Sequence, residues 1–201
     1  MEFEAVLKRR RMVRNYSPDP VPPETLHRIV RVARKAPSAG FSQGLAFVIV
    51  TEPAVRNAIS ELAKESSYVA SGFDPWISRA PAHIVVCISE QAYHRRYQEP
   101  DKLDSEGGEI EWPVPYWWVD AGAALMLLLL ATVNEGLAAG FLGTHALPDL
   151  RGLLDLPSEV IPIGVVTVGH PAPDRRSSSL QRGWKPEESA VHWQRWGGRV
   201  P

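Results

Sequence analysis

Apolar positions along the chain follow two rhythms, one helical and one extended. After Pro22-Pro23, Leu26, Ile29, Val30 and Ala33 recur at intervals of three and four while Arg28, Arg31 and Lys35 take the other side. That spacing predicts an amphipathic helix over 23–36, opened by proline. The run 45–51 (LAFVIVT) is β-rich and almost continuously apolar, the pattern of a strand covered on both faces. Pro53 restarts a helix that runs to about Glu65, and 82–88 (AHIVVCI) reads as a second strand of the same kind. Residues 117–138 predict one long helix, apolar nearly all round, so that neighbours must cover most of its sides. A short strand over 140–143, a small helix over 148–155 and a strand over 161–168 follow.

Two stretches break this pattern. Glu90 to Glu111 is a polar excursion containing Gly107-Gly108, read as a surface insertion and, taken to residue 116, a candidate lid. Beyond Pro171 the chain is polar and proline-rich until His192-Trp193-Gln194-Arg195-Trp196. Burying aromatic rings is favourable, so the tail, residues 172–201, is expected to pack on another surface, such as a second subunit. Neither an internal repeat nor a linker divides the chain, and residues 1–201 read as a single domain.

With 22 basic against 23 acidic residues, the chain lacks the charge excess of a nucleic-acid-coating protein, and 44% hydrophobic residues argue against disorder. Cys87 is the sole cysteine, which excludes an internal disulfide and fits a reducing, cytoplasmic setting. The charged opening Met1-Glu2-Phe3-Glu4 has no apolar core of an export signal. Ala121–Val133, apolar apart from Thr132, falls short of the ~20 residues of a membrane span and is read as a buried core helix.

Four segments carry candidate chemistry, each with a plainer alternative. Lys8 to Tyr16 gathers Arg9, Arg10, Arg11 and Arg14, whose guanidiniums suit a bidentate clamp on phosphate; the alternative is a solvated basic helix end. Residues 36–44 (APSAGFSQG) offer small residues for close backbone approach and Ser38, Ser42 and Gln43 for hydrogen bonding, or form a plain helix-to-strand loop. In 140–148 (GFLGTHALP) the Gly143 and Thr144 N–H groups can face a cofactor ring atom and His145 can donate a proton, unless that histidine is structural. A second basic patch over 175–186 either completes a phosphate site or is a basic loop. Motifs for a zinc protease, a Rossmann fingerprint, a phosphate loop and a nucleophile elbow are all missing, and no metal site is expected.

In order and spacing these segments resemble the FMN-dependent nitroreductase family from about Leu7 to Trp196. Arg10-Arg11-Met12-Val13-Arg14-Asn15-Tyr16 is similar to its RRSxRxF/Y opening, and Pro37-Ser38-Ala39-Gly40-Phe41-Ser42-Gln43 to its P-S-x-x-N-S-Q loop. Gly143-Thr144-His145-Ala146 with 150–157 (LRGLLDLP) resembles G-x-F-D…VRELLGLP, and 186–193 (PEESAVHW) resembles the closing P-L-E-E-V-V-H-W. The resemblance implies an α+β fold with a central, mostly antiparallel sheet flanked by helices, in an intertwined homodimer with two FMN molecules at the interface. It places Arg10, Arg11, Arg14 and Arg182 on the phosphate, with the backbone of Met12 where a serine is usual. Pro37, Ser38, Ala39, Ser42 and Gln43 then lie along the ring system, part of the loop commonly coming from the partner subunit, and Gly143 and Thr144 lie at N5. Phe41, Tyr116, Trp117 and His145 are candidates for the substrate pocket. Phe41 and Gly44 depart from the family's N-S-Q-P-W, and Asp74 stands near where relatives carry an asparagine.

The implied activity passes electrons from NADH or NADPH through the flavin to a small-molecule acceptor, a nitroaromatic, quinone or activated alkene, by a ping-pong mechanism. The flavin carries that chemistry, so no catalytic side chain is assigned. Alternatives on the same scaffold are dehalogenation, flavin fragmentation, use of a deazaflavin (F420), and non-catalytic flavin binding or storage.

Overall fold

Strand β2 (Ala82–Ile88) is buried at every position, which its unbroken apolar run demands of a strand at the centre of a sheet. In the computed structural model, which describes residues 1–175 and 177–199, β2 lies between β1 (Leu45–Val50) and β4 (Ile161–Gly169), and β3 (Ala138–Gly143) closes the far edge. All pairings are antiparallel. Arg176, in the second basic patch, and Val200 and Pro201 of the tail lie outside the described residues.

Helices cover both faces. On one, α2 (Pro23–Ala33) and α7 (Tyr116–Asn134) bury Leu26, Ile29, Ala33, Leu128 and Leu129 against Ile84, Val86, Val166 and Val168. On the other, α3 (Pro53–Leu62), α5 (Trp76–Arg79) and α8 (Leu150–Leu153) pack Ile59, Trp76, Ile77 and Leu150 against Val85, Cys87 and Val165. The result is the expected α+β architecture. Helix α1 (Phe3–Arg9) leads into the extended segment that follows Arg10.

The structure departs from the pattern-based reading at several places, among them the end of the long helix, which stops at Asn134 so that Ala138 can open β3. Strand β1 is an edge strand whose cover is incomplete: Phe47 and Ile49 pack toward one core and Val48 and Val50 toward the other, but Ala46 is exposed and only Val50 is fully buried. The helix from Pro53 stops at Leu62, because Lys64 takes a left-handed φ of 53° and α4 (Glu65–Ala70) starts afresh. The restart turns Glu65 inward, where its carboxylate accepts the backbone N–H groups of Ile77 and Ser78. The polar excursion opens with α6 (Glu90–Tyr97), which Tyr93, fully buried, anchors to the core while Gln91 and Arg95 stay exposed.

Helix α7 spans 19 residues and is, by length and composition alone, long and apolar enough to cross a membrane; half of its apolar window is buried inside the protein. Its neighbours do not cover every side, since Trp118, Val119 and Met126 remain exposed. The tail's start packs on the chain, but two of its tryptophans stay uncovered, Trp184 at 98% and Trp196 at 87% exposure.

Inside β2, His83 is wholly buried with Nε2 2.8 Å from the carbonyl of Ile77, and burial pulls its pKa from 6.5 down to about 4. The folded state thus holds a neutral imidazole that donates from Nε2. Between those two pH values the unfolded chain binds a proton that the folded chain refuses, so this stability is complete above pH 6.5 and is lost as pH falls. We expect lowering the pH from 7 to 5 to remove roughly 2 kcal/mol through this group. In urea unfolding of wild type and His83→Gln at both pH values, the variant should lose less stability by about that amount.

Candidate functional site

The stretch after α1 is held from both sides. Met12 bridges Ala139 of β3, and the Val13 N–H donates to the Ala139 carbonyl at 2.9 Å. Buried Tyr16 donates its hydroxyl to the Val13 carbonyl at 2.9 Å and lies 2.8 Å from Thr167 Oγ1 of β4. Burial pushes this phenol far above its ordinary range, so it stays a donor. The same stretch is laced to the chain beyond β4: Ser17 N–H donates to His170, Ala172 N–H to Asn15, and Asn15 Nδ2 to Pro173 at 2.8 Å. These bonds leave Arg14 few places to point. Its guanidinium lies over the Trp76 ring, 5.7 Å from the centroid, a cation–π contact.

Arg14 and Trp76 line a cavity of about 730 Å³ with Phe73, Phe141 and Leu142, and Asp174, Arg175, Ser177, Ser178, Leu180 and Gln181 form its other side. Its size, and walls that mix aromatic and aliphatic side chains with charged and polar ones, suit a flat organic ligand that carries polar groups. Two carboxylates also line it, and each has a guanidinium. Asp174, its side chain nearly buried, pairs with Arg11 at 2.7 Å, and Asp74 pairs more loosely with Arg79 at 3.5 Å. Arg175 lies over Phe73, 5.4 Å from the ring centroid. Arg14 and Arg175 thus both stand at this cavity's wall with no carboxylate within ion-pair distance among the described residues, Arg14 against Trp76 and Arg175 against Phe73.

The loop ahead of β1 is equally fixed, but elsewhere. Gly40, Phe41 and Gln43 all have positive φ, at 59°, 57° and 52°. Two of the three are not glycine, a strained run that surrounding bonds must impose. Ser38 Oγ accepts the Gln43 N–H at 2.9 Å, Ser42 Oγ donates to the Ala39 carbonyl at 2.7 Å, and Arg96 of α6 donates to the Gly40 carbonyl at 2.9 Å. Asp120 Oδ2 of α7 accepts the Ala39 N–H at 2.8 Å. Glycine is required at position 40, where a Cβ would stand 2.6 Å from the Tyr97 ring. The departure at Gly44 also has a cause: a Cβ there would lie 2.7 Å from both the Ser89 carbonyl and the Tyr93 ring.

Of the residues assigned to cofactor or substrate from sequence, Arg14 lines the large cavity, joined there by Asp74 and by Arg175, Ser177, Ser178 and Gln181 of the second basic patch. Gly143 and Thr144 follow Leu142 of its wall, and Arg182 follows Gln181. Arg11 turns to Asp174 and to a second, smaller cavity with Lys8 and Arg9, because extended backbone after α1 sends successive side chains to opposite sides. Arg10 is half-buried, and the Met12 side chain packs on the core between the sheet and α2 and α7. Pro37, Ser38, Ala39, Ser42 and Gln43 do not line the cavity of their own chain, and Phe41, 73% exposed, points away from the core. Tyr116 and His145 are exposed, whereas Trp117 is buried beside Tyr93 and Ala121. The sequence reading missed Phe73, Trp76, Phe141, Leu142 and Asp174 as walls; Trp76, two residues beyond Asp74, was the available signal. It also assigned no role to Asp120.

The nitroreductase family model matches residues 7–170. Over 189 residues the chain is 30% identical to the FMN reductase [NAD(P)H] of Bacillus subtilis (strain 168), covering 90% of this chain and 69% of that protein. It is 28% identical over 209 residues to the iodotyrosine deiodinase of Nematostella vectensis, covering 94% and 74%. Among solved structures, the hypothetical oxidoreductase YcnD from Bacillus subtilis superposes with a TM-score of 0.73 at 27% identity, covering 98% of this chain and 75% of that one. With the matched segments running from the arginines after α1 through the loop before β1 to the end of β4, the chain belongs to the nitroreductase family.

Proposed function

We propose that the chain is an NAD(P)H-dependent flavin oxidoreductase that holds FMN in the cavity between Trp76, Phe141 and Arg14. The observation that carries this reading is Arg14: it is fixed by the backbone on either side of it, backed by Trp76, and free of any carboxylate partner among the described residues. A guanidinium so placed matches a phosphate with short, bidentate, charge-assisted bonds. Phe141, Leu142 and Phe73 supply apolar walls for a planar ring, and Ser177 and Ser178 supply hydroxyls at the rim. When bound, FMN supplies the redox chemistry, taking reducing equivalents from NADH or NADPH and passing them to a nitroaromatic, quinone or similar acceptor in separate half-reactions. The chain's own task is then positioning and charge. Arg14 and, at the end of its tail turn, Arg182 hold the phosphate, with the Gly143 and Thr144 N–H groups presented beyond the cavity wall where negative charge collects on the ring.

The reading includes a homodimer. Within one chain the loop of Ser38, Ala39, Ser42 and Gln43 does not line the cavity, so a site that uses both needs a second copy. The exposed stripe of Trp118, Val119 and Met126 on α7 and the exposed tryptophans of the tail supply apolar surface for that association. Reductive dehalogenation is a second reading, favoured by the relative named iodotyrosine deiodinase, and product analysis with a halogenated phenol separates it from nitro or quinone reduction.

Purified protein should carry the yellow flavin spectrum and bleach under anaerobic NADH or NADPH. Arg14→Ala should weaken FMN binding by about tenfold to a hundredfold, the loss expected for hydrogen bonds to a charged group. Flavin affinity unchanged by that substitution would remove the phosphate assignment. Met126→Glu places a charge on the exposed stripe of α7, and light scattering should then report a shift from dimer toward monomer.

A further inference from the structure

We propose that Asp120 is a positioning residue that locks the loop before β1 into the shape in which Phe41, Ser42 and Gln43 meet the flavin, an inference that rests on the FMN reading above. Asp120 is 5% exposed on a helix whose other buried positions are Trp, Ala, Leu, Thr and Val. One oxygen, Oδ2, accepts both the Ala39 N–H at 2.8 Å and the Tyr93 hydroxyl at 2.7 Å. No cation lies within ion-pair distance of it among the described residues. Desolvating a carboxylate without a counter-ion is costly, and two hydrogen bonds return only part of that cost. An apolar side chain of the same size would serve packing better, so the carboxylate serves the loop.

What the loop needs is a reason to stay strained. Its positive-φ residues are three of the four from Gly40 to Gln43, and such backbone persists only where its surroundings over-determine it. Asp120 fixes the first N–H of that turn, Arg96 fixes the Gly40 carbonyl, and Tyr93 joins the carboxylate to the floor under Gly44. Desolvation and the hydrogen bond to Asp120 push the Tyr93 phenol upward, so it remains the donor. Phe41 is thereby held outward on a rigid base.

The test compares wild type, Asp120→Leu, Asp120→Asn and Tyr93→Phe by amide hydrogen exchange on FMN-free protein, thermal unfolding and FMN titration. Asp120→Leu, which leaves the Ala39 N–H and the Tyr93 hydroxyl without their acceptor, should lower the melting temperature by a few degrees, speed exchange in residues 39–43 by at least about tenfold with β2 and β4 unchanged, and weaken FMN binding by about tenfold. Asp120→Asn, which keeps an acceptor, should restore most of the protection. Should Asp120→Leu fail to fold, Tyr93→Phe decides by the same two readouts at smaller amplitude. Unchanged exchange in 39–43, acceleration spread through the sheet, or a loosened loop with unaltered FMN affinity would overturn the proposal. Wild type that binds no FMN would refute the flavin reading and the loop's flavin-facing role together, while exchange in FMN-free protein would still decide whether Asp120 holds the loop.

Discussion

The hydroxyl of Tyr16 sits where three parts of the chain meet: the extended stretch after α1, whose Val13 carbonyl it bonds, β4 through the Thr167 side chain, and β3, to which the Val13 N–H is itself hydrogen-bonded. An unpaired phenol or carbonyl at that depth costs more than one made bond returns, so the three parts move together or not at all. Asn15, next in sequence, bonds the chain beyond β4 on one side and accepts from Arg79 at 2.8 Å on the other. Between α1 and α2, then, the backbone is fixed to the sheet, to α5 and to the start of the tail. Arg14 has its direction, and Asp174 and Arg175 their place at the cavity wall, because of that constraint.

Charge at the cavity follows from the same lacing. Bringing the tail against the stretch after α1 delivers Asp174 as well as Arg175, and a buried aspartate beside an anion site would oppose binding. Arg11 answers it from behind at 2.7 Å, which explains why adjacent arginines in the sequence take different tasks. The Asp74–Arg79 pair is longer and its groups are solvated, so it offsets the Asp74 charge only weakly.

The parts of the fold that were legible in sequence are those where one local pattern decides the outcome. The continuous apolar run of β2 and the three-and-four spacing of α2 state their burial directly. Edge position is not local: β1 has the same run as β2, yet it has a neighbour on one side only. The break at Lys64 is also tertiary in origin, since nothing before it forbids helix and the restart is what brings Glu65 to Ile77 and Ser78. At the site, sequence order showed which segments carry chemistry but not which share a cavity. Arg11 and Arg14 are three residues apart and face different surroundings, while Arg14 and Trp76 are far apart in sequence and in contact.

Two buried carboxylates show how the fold trades stability for geometry. Glu65 gives its oxygens to the N–H groups of Ile77 and Ser78 and so fixes the turn that carries Trp76. Asp120 gives one oxygen to Ala39 and Tyr93 and so fixes the turn that carries Phe41. Neither has a cation partner among the described residues. A charge-assisted bond to a backbone N–H is short and directional, and a desolvated carboxylate cannot exchange it for water without opening the core. An apolar residue at either position could fill the volume, but packing alone does not select among the backbone conformations of a loop. Each carboxylate therefore stands beneath one of the two surfaces that must be rigid, the aromatic floor of the cavity and the exposed loop before β1, and the packing energy of α7 and the sheet bears the cost of desolvation.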